Sequence, residues 1–148
     1  QGLVNRGLIR FGRVREFSRE VIRRFGVRCN DESSTAGSLS GGNLQKYIIG
    51  REALQNPRLL VASHPTWGVD VGSAVAIHEA LVQLRDAGAA IVLISEDLDE
   101  LYQLCNRLGA LCNGRLSPLA STSELSIEQL GQWMAGEFES AEVNHVAA

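Results

Sequence analysis

Leu39-Ser40-Gly41-Gly42-Asn43-Leu44-Gln45 is the stretch that decides how the rest of the chain is read. Ser40 is a favourable N-cap, and the pattern after it predicts a helix from Gly41 to about Gln55. The two glycines remove the Cβ atoms that would hold a ligand away from the first backbone N–H groups. Those unpaired donors and the positive end of the helix dipole form an anion site suited to phosphate. The Ser40 hydroxyl adds a donor, and the Gln45 amide is long enough to reach the rim. Ser-Gly-Gly also occurs in ordinary loops, so the surrounding sequence has to carry the reading further.

Downstream, Asn56-Pro57 stops the helix and the rhythm becomes strand, loop, helix. Leu59-Leu60-Val61-Ala62 and Ala90-Ile91-Val92-Leu93-Ile94 are short apolar runs, expected as strands buried on both faces. Between them, Pro65, Gly68 and Gly72 mark a loop, followed by a helix over about 73–87 that Gly88 ends. A helix over 97–106 and a strand over 108–112 come next. Asn113-Gly114 then signals a hairpin into Arg115-Leu116, and a last helix covers 127–135. From Gly136 onward the tail is expected to fray. Upstream, Val14, Phe17, Val21, Ile22 and Phe25 give an amphipathic helix over 14–25, and the polar loop 27–38 leads to Ser40. Strands alternating with helices imply a parallel α/β sheet.

With 148 residues, 45% apolar and 21% charged, the chain is long enough for a core and too apolar to be disordered. No apolar run approaches the roughly 18 residues of a membrane span, and the first residues lack the apolar block of an export signal. Cys29, Cys105 and Cys112 form no CxxC pair and read as reduced, buried thiols. Charge is unevenly placed. Residues 1–28 hold eight arginines (Arg6, Arg10, Arg13, Arg15, Arg19, Arg23, Arg24 and Arg28) against Glu16 and Glu20, a net of +6 in a chain of net −3. Such a segment suits nucleic acid, anionic lipid, or a solvated helix face docked on another protein. Two of its three aromatic residues, Phe17 and Phe25, belong to the apolar side of the predicted helix and not to a stacking surface among the arginines, which favours the last.

Ligands of parallel α/β sheets bind beyond the carboxyl ends of the strands. Those ends carry Ser63-His64 and Ser95-Glu96. A nucleotide hydrolase needs carboxylates at the first to hold Mg²⁺ and polarise water, and a γ-phosphate sensor at the second. Ser63 is a weak Mg²⁺ ligand. Beside phosphate, His64 is held in its charged, non-basic form, and Glu96 repels phosphate. The positions are right and the chemistry is missing. No G-x-x-x-x-G-K-[ST] loop occurs, since Lys46 is the single lysine and follows Gln45.

Three stretches then fall in one order: Leu39-Ser40-Gly41-Gly42-Asn43 through Gln45, Pro65-Thr66-Trp67-Gly68-Val69-Asp70, and Ile94-Ser95-Glu96-Asp97-Leu98-Asp99-Glu100. Together they resemble the signature, the Walker B strand with its D-loop, and the switch-loop strand of ABC-transporter ATPase domains. Pro-Thr-Trp-Gly-Val-Asp and the Asn-Gly-Arg-Leu-Ser ending at Ser117 are similar to the second ATPase domain of tandem subunits in simple-sugar and nucleoside importers. The resemblance covers roughly residues 1–135. It implies a partial P-loop NTPase fold: a parallel sheet with flanking helices, part of the helical signature subdomain, and no Walker A portion. Residues 1–136 would be the C-terminal part of one domain, with 1–57 helical, 58–136 the α/β core, and 137–148 a tail. Gln1 would then be an interior position, with the Walker A strand and Q-loop before it.

The resemblance further implies ATP and Mg²⁺ at a composite site. Ser40, Gly41, Gly42 and Gln45 would meet the γ-phosphate held by a partner ABC ATPase domain, and Asp70 would sit at the dimer seam while capping its own helix. Departures fall at the catalytic positions, with Ser63 for the metal aspartate, His64 for the catalytic glutamate and Glu96 for the switch histidine. Integral-membrane permease subunits would be further partners, at the cytoplasmic face of the plasma membrane, with no nucleic acid. Trp67 is expected at an interface or as a half-buried loop aromatic, and His78 as structural. Two other readings stand beside this one: a DNA-repair or chromosome ABC ATPase, which the lack of heptads disfavours, and a non-catalytic module docking on a permease.

Overall fold

The computed structural model describes residues 2–139 and divides the chain into two compact units, residues 1–96 and 97–148. In the first unit, β1 (Val4–Asn5) and β2 (Leu8–Ile9) form an antiparallel hairpin that the sequence pattern did not suggest. Arg6 and Gly7 supply its two-residue turn, both at positive φ (48° and 80°), as a type I′ turn requires. Helix α1 (Phe11–Arg24) starts nearly a turn earlier than the apolar spacing indicated. Val21 is fully buried, while Phe17, Ile22 and Phe25 are half-buried along the same side. Arg23 and Arg24 in its last turn complement the helix dipole and pair with Glu20.

Helix α2 (Gly41–Ala53) packs on α1 and on α3 (Val71–Asp86). The approach to α1 depends on Gly50. A Cβ there would lie 2.5 Å from Phe25 Cδ2, inside the ring's van der Waals surface. Ser18 Oγ and Tyr47 OH, 2.9 Å apart, satisfy each other between the same two helices. The polar loop between α1 and α2 contains one 3-10 turn (Ala36–Ser38) and is tied to α2. Asn43 Oδ1 accepts from Arg28 N at 2.7 Å, and Lys46 Nζ donates to Gly26 O at 3.0 Å.

β3 (Leu59–Ser63) and β4 (Ala90–Ile94) pair in parallel as expected, with Leu59 opposite Ala90 and Ser63 opposite Ile94. Burial on both faces does not hold. Exposure alternates along β3, from 8% at Leu60 to 58% at Leu59, because α3 packs against one face only. Leu59, Val61, Val92 and Ile94 share the other face and stay exposed.

In the second unit, Asp97 caps α4 (Leu98–Leu104), which ends before Cys105 takes an extended conformation. The expected strand 108–112 is two strands in different sheets. β5 (Arg107–Leu108) pairs with β8 (Ala120–Ser121), whereas β6 (Leu111–Cys112) pairs with β7 (Arg115–Leu116). The fully buried Ser117 accounts for the break. Its hydroxyl accepts from Ala110 N at 2.9 Å, and its N–H donates to Ala110 O at 2.9 Å. Asn113 and Gly114, at φ 49° and 73°, form the expected tight turn.

Helix α5 (Ile127–Met134) starts at Ser126, whose Oγ accepts from Gln129 N at 3.1 Å. It adds Leu130 and Trp133 to a core with Leu108, Ala110 and Leu125. The chain does not fray at Gly136: Glu137 N donates to Gln132 O, and Phe138 packs on that core beneath the Arg115 guanidinium, 5.5 Å from its ring centre. Residues 140–148 of the expected tail lie outside the described residues. No helix among the described residues is long and apolar enough to cross a membrane.

Candidate functional site

The first unit brings the N-terminus of α2 against the loop that follows β3. Ser40 occupies the N-cap position with extended backbone (φ −65°, ψ 157°), and its carbonyl accepts the first helical bond, from Leu44 N at 2.9 Å. Its side chain makes no capping bond. Instead, Ser40 Oγ accepts from Asn43 Nδ2 at 2.8 Å, which fixes the hydroxyl oxygen and leaves its proton to point elsewhere. With no side chain folded over them, the first N–H groups of α2 keep their donor capacity and the dipole's positive end.

The glycines permit the close approach. A Cβ on Gly42 would stand 3.4 Å from both Asp70 Oδ2 and Ser73 Oγ, and one on Gly41 would stand 3.9 Å from Gly68 O. Asp70 caps α3, accepting from Ser73 N at 3.0 Å and Ser73 Oγ at 2.7 Å. Those two bonds hold its carboxyl below the ordinary carboxylate range, the hydroxyl bond contributing most, with a smaller attraction from Lys46. Trp67, on the same loop, is 82% exposed rather than half-buried. Gln45 Nε2 reaches toward His64 O at 3.4 Å, so this amide spans from α2 to the end of β3.

Ser63 and Glu96 are exposed near the carboxyl ends of β3 and β4, and His64 is half-buried. His64 sits at φ 48°, an unusual conformation for a non-glycine residue. Its N–H donates to Ile94 O at 2.8 Å, and its Nδ1 is 3.3 Å from the same oxygen. The ring is therefore turned back onto the backbone of β4. His78 is half-buried within α3. Cys29, Cys105 and Cys112 are free and half-buried, and burial followed by the charge of Glu100 raises the Cys105 thiol. Among the described residues, no group of three or more His, Cys, Asp or Glu side chains is gathered to hold a metal ion. A cleft of about 230 Å³ bordered by Ile22, Val27, Leu39 and Tyr47 contains none of the site residues.

Two contributors were not singled out from the sequence. Asn43 orients Ser40 and anchors Arg28, and Ser73 holds Asp70. Their signal is the spacing of three residues, Ser40 to Asn43 and Asp70 to Ser73, which places each pair on one helical turn.

No family model matches the chain. Over 130 residues, 88% of the chain, it is 41% identical to the guanosine import ATP-binding protein NupO of Bacillus subtilis. It is 39% identical over 130 residues to the nucleoside import ATP-binding protein NupA of Lactococcus lactis, and 33% identical over 144 residues to the ribose import ATP-binding protein RbsA 2 of Rhizobium meliloti. The chain spans 26–28% of the length of these three relatives. Among solved structures, the post-hydrolysis dimer of the ATP-binding cassette MJ0796 with ADP and Pi superposes with a TM-score of 0.67 at 21% identity, over 80% of this chain and 51% of that one. The ATP-binding subunit of another ABC transporter gives 0.68 at 23% identity, over 81% of this chain and 55% of that one. At those identities the structures speak for the fold, and the sequence relatives for the family. The chain is part of an ABC ATPase domain, similar in sequence to the ATP-binding proteins of nucleoside and sugar import.

Proposed function

We propose that this chain gives the signature half of a nucleotide site to a partner ABC ATPase domain and has no hydrolytic site of its own. One observation carries the reading: the uncapped start of α2, where Ser40 Oγ is held by Asn43 and Gly42 lies against Asp70 and Ser73. This cradle suits the terminal phosphate of ATP. Ser40 would donate through its hydroxyl, while Gly41 and Gly42 would donate through backbone N–H groups. Gln45 would tie that helix start to the end of β3. Asp70, already committed to Ser73, would fix the seam geometry rather than act on phosphate.

Mg²⁺ does not fit this chain's own strand ends. Ser63 brings one neutral hydroxyl, the His64 ring faces Ile94 O, and Glu96 is the single carboxylate among these three positions. His64 brings no carboxylate charge to this position either, and one of its two ring nitrogens, Nδ1, faces Ile94 O. In this reading the chain is the C-terminal portion of the second domain of a tandem subunit, divided as 1–57 and 58–136. ATP hydrolysis at the composite site drives import of a sugar or nucleoside through permease subunits. The subunit lies at the cytoplasmic face of the membrane.

The test compares two preparations. The purified 148-residue chain should show no Mg-ATP turnover. The assembled subunit carrying Ser40→Arg should lose hydrolysis by ~100-fold or more, the scale of removing a positioned electrostatic stabiliser. Turnover by the pure chain that disappears on changing His64 would overturn the proposal.

A further inference from the structure

Among the described residues, four α-helices begin at a residue with a side-chain oxygen and extended backbone: α2 at Ser40, α3 at Asp70, α4 at Asp97 and α5 at Ser126. Asp70 accepts from Ser73 N, Asp97 from Glu100 N and Ser126 from Gln129 N, each time the backbone N–H three residues on. Ser40 makes no such bond, although its backbone (φ −65°, ψ 157°) is nearly that of Ser126 (φ −77°, ψ 157°). The backbone therefore permits the cap, and a side chain withholds it.

The residue three positions after Ser40 is Asn43. Arg28 N lies 2.7 Å from one end of the Asn43 amide. A backbone N–H can only donate, so that end is Oδ1, and the other end, 2.8 Å from Ser40 Oγ, is the donating Nδ2. The place of Arg28 N is fixed in turn by the end of α1. Gly26 turns the chain at φ 58°, Val27 N donates back to Ile22 O at 3.0 Å, and the Val27 side chain is buried. Lys46 Nζ donates to Gly26 O at 3.0 Å, a second tie from α2 to the same turn.

We infer that Asn43 is a positioning residue: held by the turn after α1, its amide draws the Ser40 oxygen off its own helix and leaves the hydroxyl proton and the first N–H groups of α2 for the terminal phosphate of ATP. The inference rests on the reading of α2 as the phosphate site. In a self-capped helix the serine oxygen takes one of the donors an anion needs and sets its own lone pairs toward the anion. A helix gains stability from its cap, so the open start of α2 is held against a local preference, and the two bonds of one amide hold it. The neutral amide does this without bringing a negative charge to the phosphate.

The test is a double-mutant cycle on steady-state ATP hydrolysis by the assembled subunit. Asn43→Ala frees the hydroxyl to cap α2 and should lower the rate about tenfold, the scale of one hydrogen bond to a charged group. In a Ser40→Ala background, where no hydroxyl remains to redirect, adding Asn43→Ala should change the rate by less than about twofold. Hydrogen exchange at the first amides of α2 should slow about fivefold in Asn43→Ala, whereas a loss of packing would speed it. Asn43→Asp keeps an acceptor for Arg28 N but has no donor for Ser40, and should lose hydrolysis at least as far as Asn43→Ala. Equal losses from Asn43→Ala with and without the Ser40 hydroxyl overturn the inference, as does faster exchange at the start of α2. Ser40→Arg separates the two levels of the argument. If it abolishes hydrolysis while both Asn43 variants keep the wild-type rate, this inference alone falls. If Ser40→Arg also has no effect, the reading of α2 falls with it.

Discussion

The N-terminus of α2 and the carboxyl ends of β3 and β4 lie in the same compact unit, yet they have kept different things. At α2 both place and chemistry are present: donors without a cap, glycines at the close approach, and a serine held by Asn43. At the strand ends the place is present, with β3 and β4 parallel and in register, but Ser63, His64 and Glu96 stand there. Strand pairing and helix packing do not depend on the side chains at these positions, so the two regions share one backbone scaffold and differ in what stands on it. A site read in trans needs only the backbone and small residues of α2. Under the proposed reading, a site used in cis would need carboxylates at the end of β3, where Ser63 and His64 stand.

The largest effect should separate these two regions directly. In the assembled subunit, Gly41→Asp places a negative charge at the start of α2 and should lower hydrolysis by ~100-fold or more. His64→Ala, measured in the same steady-state ATPase assay, should leave the overall rate within about twofold. If His64→Ala proves the more damaging, the contrast between the regions is reversed.

A second contrast lies within the β3–β4 sheet. Leu60→Ala, on the packed face, should cost about 2–5 kcal/mol in urea unfolding of the chain, since it opens a cavity. Leu59→Ala, one residue away on the uncovered face, should stay within about 0.5 kcal/mol. Equal losses would mean that something covers the second face in solution. Next in size is Gly50→Ala, where the new methyl meets the Phe25 ring and should cost about 1–3 kcal/mol by thermal melt. Combining it with Phe25→Leu should recover part of that loss if the ring is the obstacle.

The smallest effect concerns pH. The Asp70 carboxyl is held below its ordinary value by Ser73, so the folded state favours its charged form. Its contribution is therefore present above the unfolded-state value of about 3.9 and is lost as pH falls through the lower folded value. Asp70→Asn should flatten the acid limb of the stability curve below about pH 4 and leave the slope at neutral pH unchanged. An unchanged acid limb would remove Asp70 from the structural side of the comparison.

Much of this was legible in the residues because it is local. Asp70 caps α3 through a contact three residues away, and Asn113-Gly114 turns the chain because both residues tolerate positive φ. The Arg6-Gly7 turn uses the same backbone chemistry, but its strands are only two residues each, too short to show alternation above background. The start of α2 was likewise legible, since the glycines and the N-cap serine act within one helical turn. The engagement of Ser40 by Asn43 was there to be found at the same spacing.

By itself, then, the sequence determined the order of the five helices and of β3 and β4, the glycines that follow Ser40 at the start of α2, and the lack of a carboxylate at positions 63 and 64. Each of these depends on residues within a few positions of one another. Tertiary structure alone decided which face of the β3–β4 sheet is covered, because an apolar run reads the same whether one face or both are packed. It also decided that 108–112 divides between two sheets, since buried Ser117 bonds Ala110 from seven residues away. The His64 ring turns toward Ile94 O, thirty residues along the chain. Such contacts join distant segments, and no local pattern of residues encodes them.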